Sequence, residues 1–235
     1  MLDSHGAIIR GDTSSNQIAL IFTGDEFDDG GKTISESLRK HKAKASFFLT
    51  GRFYGNPDFG PLIRKLKKEG YYLGAHSDEH LLYCDWEKRD SLLVTQEQFK
   101  LDLQQNYQKM AAFGISKEDA GYFLPPYEWY NRSIANWTAE EGLQLVNFSP
   151  GTRSAADYTW PEMGNRYVGS ETVLKSILNF ETKDKSGLNG FMLLLHIGTD
   201  PRRDDKFYHR LDELLMLLKQ KGYQFVRIDE LLEHK

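Results

Sequence analysis

The sequence predicts an α/β fold: parallel strands closed into one barrel. Three observations predict it. Short apolar runs of strand length alternate with amphipathic helical stretches along the whole chain. The roughly seven strand–helix units are too many for a small open sheet. No linker, repeat or low-complexity segment divides the chain. One domain over residues 1–235 is therefore expected, with a short lead-in over 1–17.

AIIR (7–10) reads as a lead-in strand and IALIF (18–22) as the first core strand. KTISESLRKHK (32–42) is helical, with Ile34, Leu38 and His41 on one side. ASFFLTG (45–51) is the second strand. FGPLIRKLKKEG (59–70) is a helix with Pro61 near its start and Gly70 at its end. YYLGAH (71–76) is a strand, and TQEQFKLDLQQNYQKMAAFG (95–114) a long amphipathic helix closed by Gly114. YFLPP (122–126) is a strand stopped by proline. A helix follows at SIANWTAEEG (133–142), then a strand at LQLVNFS (143–149). SETVLKSILNFE (170–181) is a helix, GFMLLLHIG (190–198) a strand and KFYHRLDELLMLLKQKG (206–222) a helix. QFVRI (224–228) is the last strand, and DELLEHK (229–235) a closing short helix.

Forty per cent of the 235 residues are hydrophobic, enough to bury a full core. The net charge of -4, from 30 basic and 34 acidic residues, leaves no electrostatic footprint for nucleic acid. The single cysteine, Cys84, rules out an internal disulfide framework. The longest apolar run, Phe191 to Leu195, is too short to span a membrane. The N-terminus lacks the layout of a signal peptide. The compartment stays open: periplasmic or extracellular if a signal peptide was removed, cytoplasmic otherwise.

The chemistry-bearing residues cluster at strand ends. His76 and His80 lie four apart just after a core strand. If Ser77 opens a helical turn, both imidazoles share one face, within reach of one metal ion. Two solvated histidines at a helix start are the plainer alternative. His196 ends an apolar strand. It reads as a general acid or as a histidine satisfied by the backbone. After Pro125 and Pro126 the first free amide is that of Tyr127, a candidate oxyanion donor or part of a rigid loop. Trp129, Tyr130, Tyr158 and Trp160 line a sugar-binding face or serve as packing. Four carboxylates, Asp25, Glu26, Asp28 and Asp29, follow the first strand.

Together these residues resemble carbohydrate esterase family 4, the polysaccharide deacetylases with the NodB homology domain, from about Ile18 to Leu232. His76-Ser77-Asp78-Glu79-His80 is similar to the family's His-Ser/Thr-x-x-x-His motif, and Leu193-Leu194-Leu195-His196 to its last motif. KASFFLTG (44–51) looks like its KATFFVTG strand, and LPPYEWYN (124–131) like its RPPYGEYN loop. The resemblance implies a single distorted (β/α)7 barrel. It also implies a divalent metal that serves to remove acetyl groups from amino sugars or sugar esters. His76 and His80 would be metal ligands. Zinc is the first candidate, and nickel, cobalt and iron suit the same donors. His196 would protonate the leaving group, and the Tyr127 amide would hold the oxyanion.

The departures matter as much. The family's first motif, Thr-Phe-Asp-Asp-Gly-Pro, supplies a catalytic base and a metal ligand. An ungapped match puts that pair on Thr23-Gly24. Matching letters instead puts it on Asp28-Asp29, which leaves the next helix short. The ungapped register is preferred. The family's loop arginine falls on Leu124, and its aspartate supporting the acid histidine falls near Ser149-Pro150-Gly151, where there is none. Asp157 is a substitute reached by another loop path. Losing the arginine together with its aspartate avoids an unpaired buried charge. Asp25 is then expected to bind the metal, because Gly24 lets the backbone turn, and Glu26 to be the base. Asp28 and Asp29 are expected to be solvated acids capping the helix near Lys32.

The expected function is metal-dependent removal of acetyl or acyl groups, N-linked or O-linked, from a carbohydrate. Two alternatives stand beside it. One is a non-catalytic carbohydrate-binding relative that lost the base. The other is an esterase restricted to simple or activated acetate esters.

Overall fold

The apolar run at residues 18–22 becomes β1 (Gln17–Gly24), buried at every position from Ile18 onward. Strands buried on both faces read as unbroken apolar runs, which is why this one was legible. The same logic gives β6 (Phe191–His196), whose first five residues are buried. The computed structural model describes residues 1–233, and its chain divides into two units.

The first unit comprises Met1–Ile9 and Phe47–Asn147. It holds β2 (Ser46–Leu49) apart from Ser46, β3 (Tyr72–Ala75), β4 (Tyr122–Phe123) and β5 (Gln144–Leu145), side by side in the order β5-β4-β3-β2. β3 pairs with β4 and β4 with β5, each in parallel. Its helices are α2 (Gly51–Gly55), α3 (Gly60–Lys68), α4 (Gln96–Ala111) and α5 (Arg132–Glu140). α4 starts on a full capping box: Thr95 Oγ1 accepts from Gln98 N, and the Gln98 side chain accepts from Thr95 N. α4 buries Phe99, Asp102, Leu103, Asn106 and Met110 along one stripe. α2 had no counterpart in the sequence reading. It is a single capped turn, with Thr50 Oγ1 accepting from Phe53 N.

The second unit comprises Arg10–Ser46 and the chain from Phe148 onward. β1 lies between β6 and β7 (Gln224–Val226), parallel to both. Its helices are α1 (Gly31–Lys40), α6 (Ser170–Lys183), α7 (Leu211–Gln220) and α8 (Ile228–Leu232). The sequence reading of the last helix extends to His234 and Lys235, which lie outside the described residues. No helix among the described residues is long and apolar enough to cross a membrane.

The lead-in strand expected at 7–10 forms only isolated bridges, Ile8 with Leu2 and Val146, and Arg10 with Phe191. Four residues do not sustain a ladder of their own.

Gly74 in β3 tests how tightly this sheet is filled. A Cβ there would stand 2.7 Å from Phe48 Cε1 and 2.9 Å from Tyr72 Cε1, inside contact distance. Gly74→Ala is expected to cost roughly 1–3 kcal/mol by overpacking. The check is a lower urea midpoint at unchanged slope; an unchanged midpoint would mean the rings move aside freely.

Candidate active site

In the first unit, β3 ends at Ala75 and delivers His76 into a loop that runs to Leu82 without helix. The helical turn expected at Ser77 does not form. Ser77 and His80 instead take left-handed backbone conformations, with φ of 74° and 52°. The two histidine rings still meet, their centroids 5.1 Å apart. A non-helical route therefore brings together the imidazoles that helical spacing was expected to bring together.

Left-handed backbone is unfavourable for residues other than glycine, so something must hold it. The holder is Asp102 on α4, only 4 % exposed. Its carboxylate accepts from Ser77 Oγ at 2.6 Å, Asp78 N at 3.1 Å, Glu79 N at 2.9 Å and Tyr83 OH at 3.2 Å. Burial, and after it the Asp102 charge, holds the Tyr83 phenol well above its usual range, so it remains a donor. One turn further along α4, Asn106 Oδ1 accepts from His76 N at 3.0 Å. Below the loop, Gly51 N donates to Ser77 O at 2.9 Å. A Cβ on Gly51 would fall 1.6 Å from Asp78 Oδ1, so only glycine fits this approach.

His76 is buried and its Nδ1 lies 2.7 Å from the carbonyl of Leu124. A carbonyl only accepts, so Nδ1 carries the proton toward Leu124 O. This is the second partner that orients a metal-binding histidine. The donor chemistry of His76 and His80 fits a divalent transition metal. Among the described residues, no group of three or more His, Cys, Asp or Glu side chains is arranged to hold one.

Against His80 packs Tyr127, ring centroids 4.4 Å apart. Tyr127 and Glu128 are again left-handed, at φ 59° and 53°. Ser77, His80, Tyr127 and Glu128 are four of the five non-glycine residues with positive φ among the described residues, so backbone strain is concentrated in these two loops. The hydrogen bonds that close the Pro126–Glu128 turn are donated by Glu128 and Trp129, not by the Tyr127 amide. Trp129 is half-buried under the guanidinium of Arg89, 4.0 Å from its ring.

In the second unit, His196 at the end of β6 meets Asp157. Nδ1 lies 2.6 Å from Asp157 Oδ1, and the His196 amide donates to Oδ2 at 3.0 Å. Asp157 is 2 % exposed and His196 partly exposed. Asp157, expected as a substitute reached by another loop path, is the acid that meets His196. Tyr158, 42 % exposed, lies against the His196 ring at 5.1 Å. Trp160 is half-buried and stacks under Arg202 at 4.0 Å.

Thr23 is the partner of His196 across β1 and β6, so both side chains stand on one sheet face. It is 2 % exposed and its hydroxyl has no hydrogen-bond partner. β1 continues through Gly24, which makes half-buried Asp25 and exposed Glu26 the first carboxylates past the strand. The capping role expected for Asp29 is not found: the N-cap of α1 is Gly30, with no side-chain cap. Asp29 is tied down instead. It accepts from Thr199 N at 2.8 Å and Tyr208 OH at 2.7 Å, and pairs with Lys206 at 3.0 Å.

Sequence reasoning did not find Asp102 or Asn106. The signal was present: both are polar residues on the apolar stripe of α4, in step with Phe99, Leu103 and Met110.

Residues 11–146 match the sequence model of the polysaccharide deacetylase family. A peptidoglycan-N-acetylglucosamine deacetylase of Bacillus cereus is 28% identical over 224 residues, covering 94% of this chain and 91% of that protein. Among solved structures, the Bc1960 peptidoglycan N-acetylglucosamine deacetylase superposes with a TM-score of 0.77 at 18% identity, covering 98% of this chain and 94% of the other. BA3943 of Bacillus anthracis, described as a CE4 family pseudoenzyme, gives 0.74 at 19% identity, covering 98% and 70%. These likenesses give the fold, the (β/α)7 type of the deacetylases.

Asp102→Ala would strand four donors, most of them buried. It is expected to cost roughly 3 kcal/mol or more, since each unsatisfied buried group costs about 1–3 kcal/mol. Chemical denaturation reads this directly. A loss below about 1 kcal/mol would show that the left-handed loop is held by other means.

Proposed function

The chain belongs to the polysaccharide deacetylase family, and from that premise we propose that it is a metal-dependent hydrolase that removes acetyl groups from a carbohydrate. The observation that carries this reading is the buried Asp157 carboxylate 2.6 Å from His196 Nδ1. It fixes the Nδ1 proton toward Asp157 and leaves Nε2 to hold and release a proton, which is the arrangement of a general acid. His196 then protonates the leaving nitrogen or oxygen of the sugar. The Tyr127 amide, spared by its own turn, stabilises the oxyanion.

His76 and His80 would hold the metal, zinc first among the candidates. A divalent ion held there would supply Lewis-acid polarisation of the acyl carbonyl and a water acidic enough to act near neutral pH. Asp25 is the sequence-based candidate for the carboxylate ligand and Glu26 for the base. The bonds to Thr199, Tyr208 and Lys206 commit both oxygens of Asp29, which argues against the rival register. Tyr158, beside His196, and Trp129 and Trp160 are proposed to face the sugar.

A second reading, a carbohydrate binder without catalysis, is favoured by Thr23-Gly24. These residues stand where the family resemblance puts the aspartate pair, and the Thr23 hydroxyl has no partner.

One assay separates the readings: acetate release from an aryl acetate and from an N-acetylglucosamine oligomer, with and without chelator. Release from both, abolished by chelator, supports the hydrolase. Release from the aryl ester alone supports the simple esterase, and no release supports the binder.

Two variant sets sharpen the assignment. His196→Ala is expected to keep the metal and lower turnover on the oligomer by roughly 10²–10⁴-fold. The loss should be smaller on the aryl ester, whose leaving group needs little protonation. Equal losses on both substrates would remove His196 from the acid role. His76→Ala with His80→Ala is expected to empty the metal site by elemental analysis, and Asp25→Ala to weaken metal affinity. Asp29→Ala should leave the metal content unchanged, and the reverse order for Asp25 and Asp29 would restore the rival register.

A further inference from the structure

Trp86 is 54 % exposed, the largest exposed side chain of the loop that follows the histidines. It is not loose. Asp85 N donates to Ser91 O at 2.9 Å and Leu93 N to Tyr83 O at 2.9 Å, so the loop closes as a short ribbon. At its tip Asp85 Oδ1 accepts from Glu87 N at 2.9 Å and Lys88 N at 2.7 Å. The ribbon is pinned to the proline loop from both partners: Trp129 Nε1 donates to Asp85 O at 3.1 Å, and Arg89 Nε to Tyr130 O at 2.6 Å. The indole is therefore presented to solvent by a rigid frame.

It also continues the candidate site outward. From His80 the rings run to Tyr127 at 4.4 Å, from Tyr127 to Trp86 at 5.6 Å, and from Trp86 to Trp129 at 5.5 Å. Arg89, 4.0 Å from the Trp129 ring, closes the far end of the rank.

From this rank we infer that Trp86 is the stacking platform for a second sugar of the substrate, next to the one whose acyl group is removed. The inference rests on the carbohydrate reading above. Its physical basis is the surroundings of the indole, where Glu87, Lys88 and Asp90 are exposed in the same turn. An apolar protein partner pressed onto Trp86 would strip water from those charges without compensation. A pyranose offers an apolar face to the ring and hydroxyls to the charged rim. The substrate is then an oligo- or polysaccharide rather than a single acetylated sugar.

The test is binding of N-acetylglucosamine and its β-1,4 oligomers by titration calorimetry, on the parent and on Trp86→Ala and Trp86→Phe. The parent is expected to bind oligomers more tightly than the single sugar. Trp86→Ala should weaken oligomer binding by roughly tenfold, the scale of one anchor side chain, and leave the single sugar unaffected. Trp86→Phe should recover part of the loss. Equal affinities for parent and Trp86→Ala at every length, or no gain with length in the parent, would overturn the inference. So would self-association of the parent that Trp86→Ala abolishes. Acetate release is measured on the same samples. Length-dependent, Trp86-dependent binding without acetate release supports the platform while overturning the deacetylase reading, so the two fail separately.

Discussion

The arrangement of the histidine loop depends on one buried carboxylate. Asp102 sits nearly inaccessible on the apolar stripe of α4, where an unpaired charge would be strongly destabilising. It is tolerable because four donors converge on it, three of them from Ser77, Asp78 and Glu79. Those same bonds hold the left-handed turn that brings His80 back to His76. The constraint runs both ways: the loop satisfies the charge, and the charge fixes the loop. Asn106 and Leu124 extend it by holding the amide and the Nδ1 of His76. A candidate ligand is thus positioned by hydrogen bonds to buried groups.

The second unit solves a similar problem with different parts. Asp157 is buried, and it accepts from both the ring and the backbone amide of His196. That fixes the rotamer of the ring and the position of its proton together. Nearby in sequence to the strand end, Asp29 spends its oxygens on Thr199, Tyr208 and Lys206, and so joins the loop after β6 to the start of α1. Carboxylates after β1 look equivalent as letters. The bonds of Asp29 mark it as a structural acid.

The strands and longer helices were legible because burial on both faces writes apolar runs and amphipathic helices write a stripe. The histidine pair was legible as a pair but not as a conformation. Four-residue spacing suits a helical turn, and nothing in Ser77 or His80 announces positive φ, which sequence associates with glycine and asparagine. Asp157 was legible only as a substitute, because its loop path departs from the family's. Asp102 and Asn106 were overlooked because a polar residue within a helix reads as solvated unless its phase is compared with its apolar neighbours. Asp29 was misread as a cap because helix-start chemistry is local, whereas its partners lie about 170 residues further along the chain.

The replaced first motif follows the same accounting of buried charge. Thr23 stands on the same sheet face as His196, its partner on β6, and its buried hydroxyl has no hydrogen bond. A carboxylate there would need a cation or several donors to offset its lost hydration. A neutral hydroxyl is the less costly occupant: an unpaired hydroxyl loses one hydrogen bond, an unpaired carboxylate its whole hydration. An aspartate at 23 would therefore bury a charge that the hydroxyl avoids. Burial of β1 thus favours an uncharged residue at 23, and the first carboxylates, Asp25 and Glu26, stand past the strand end.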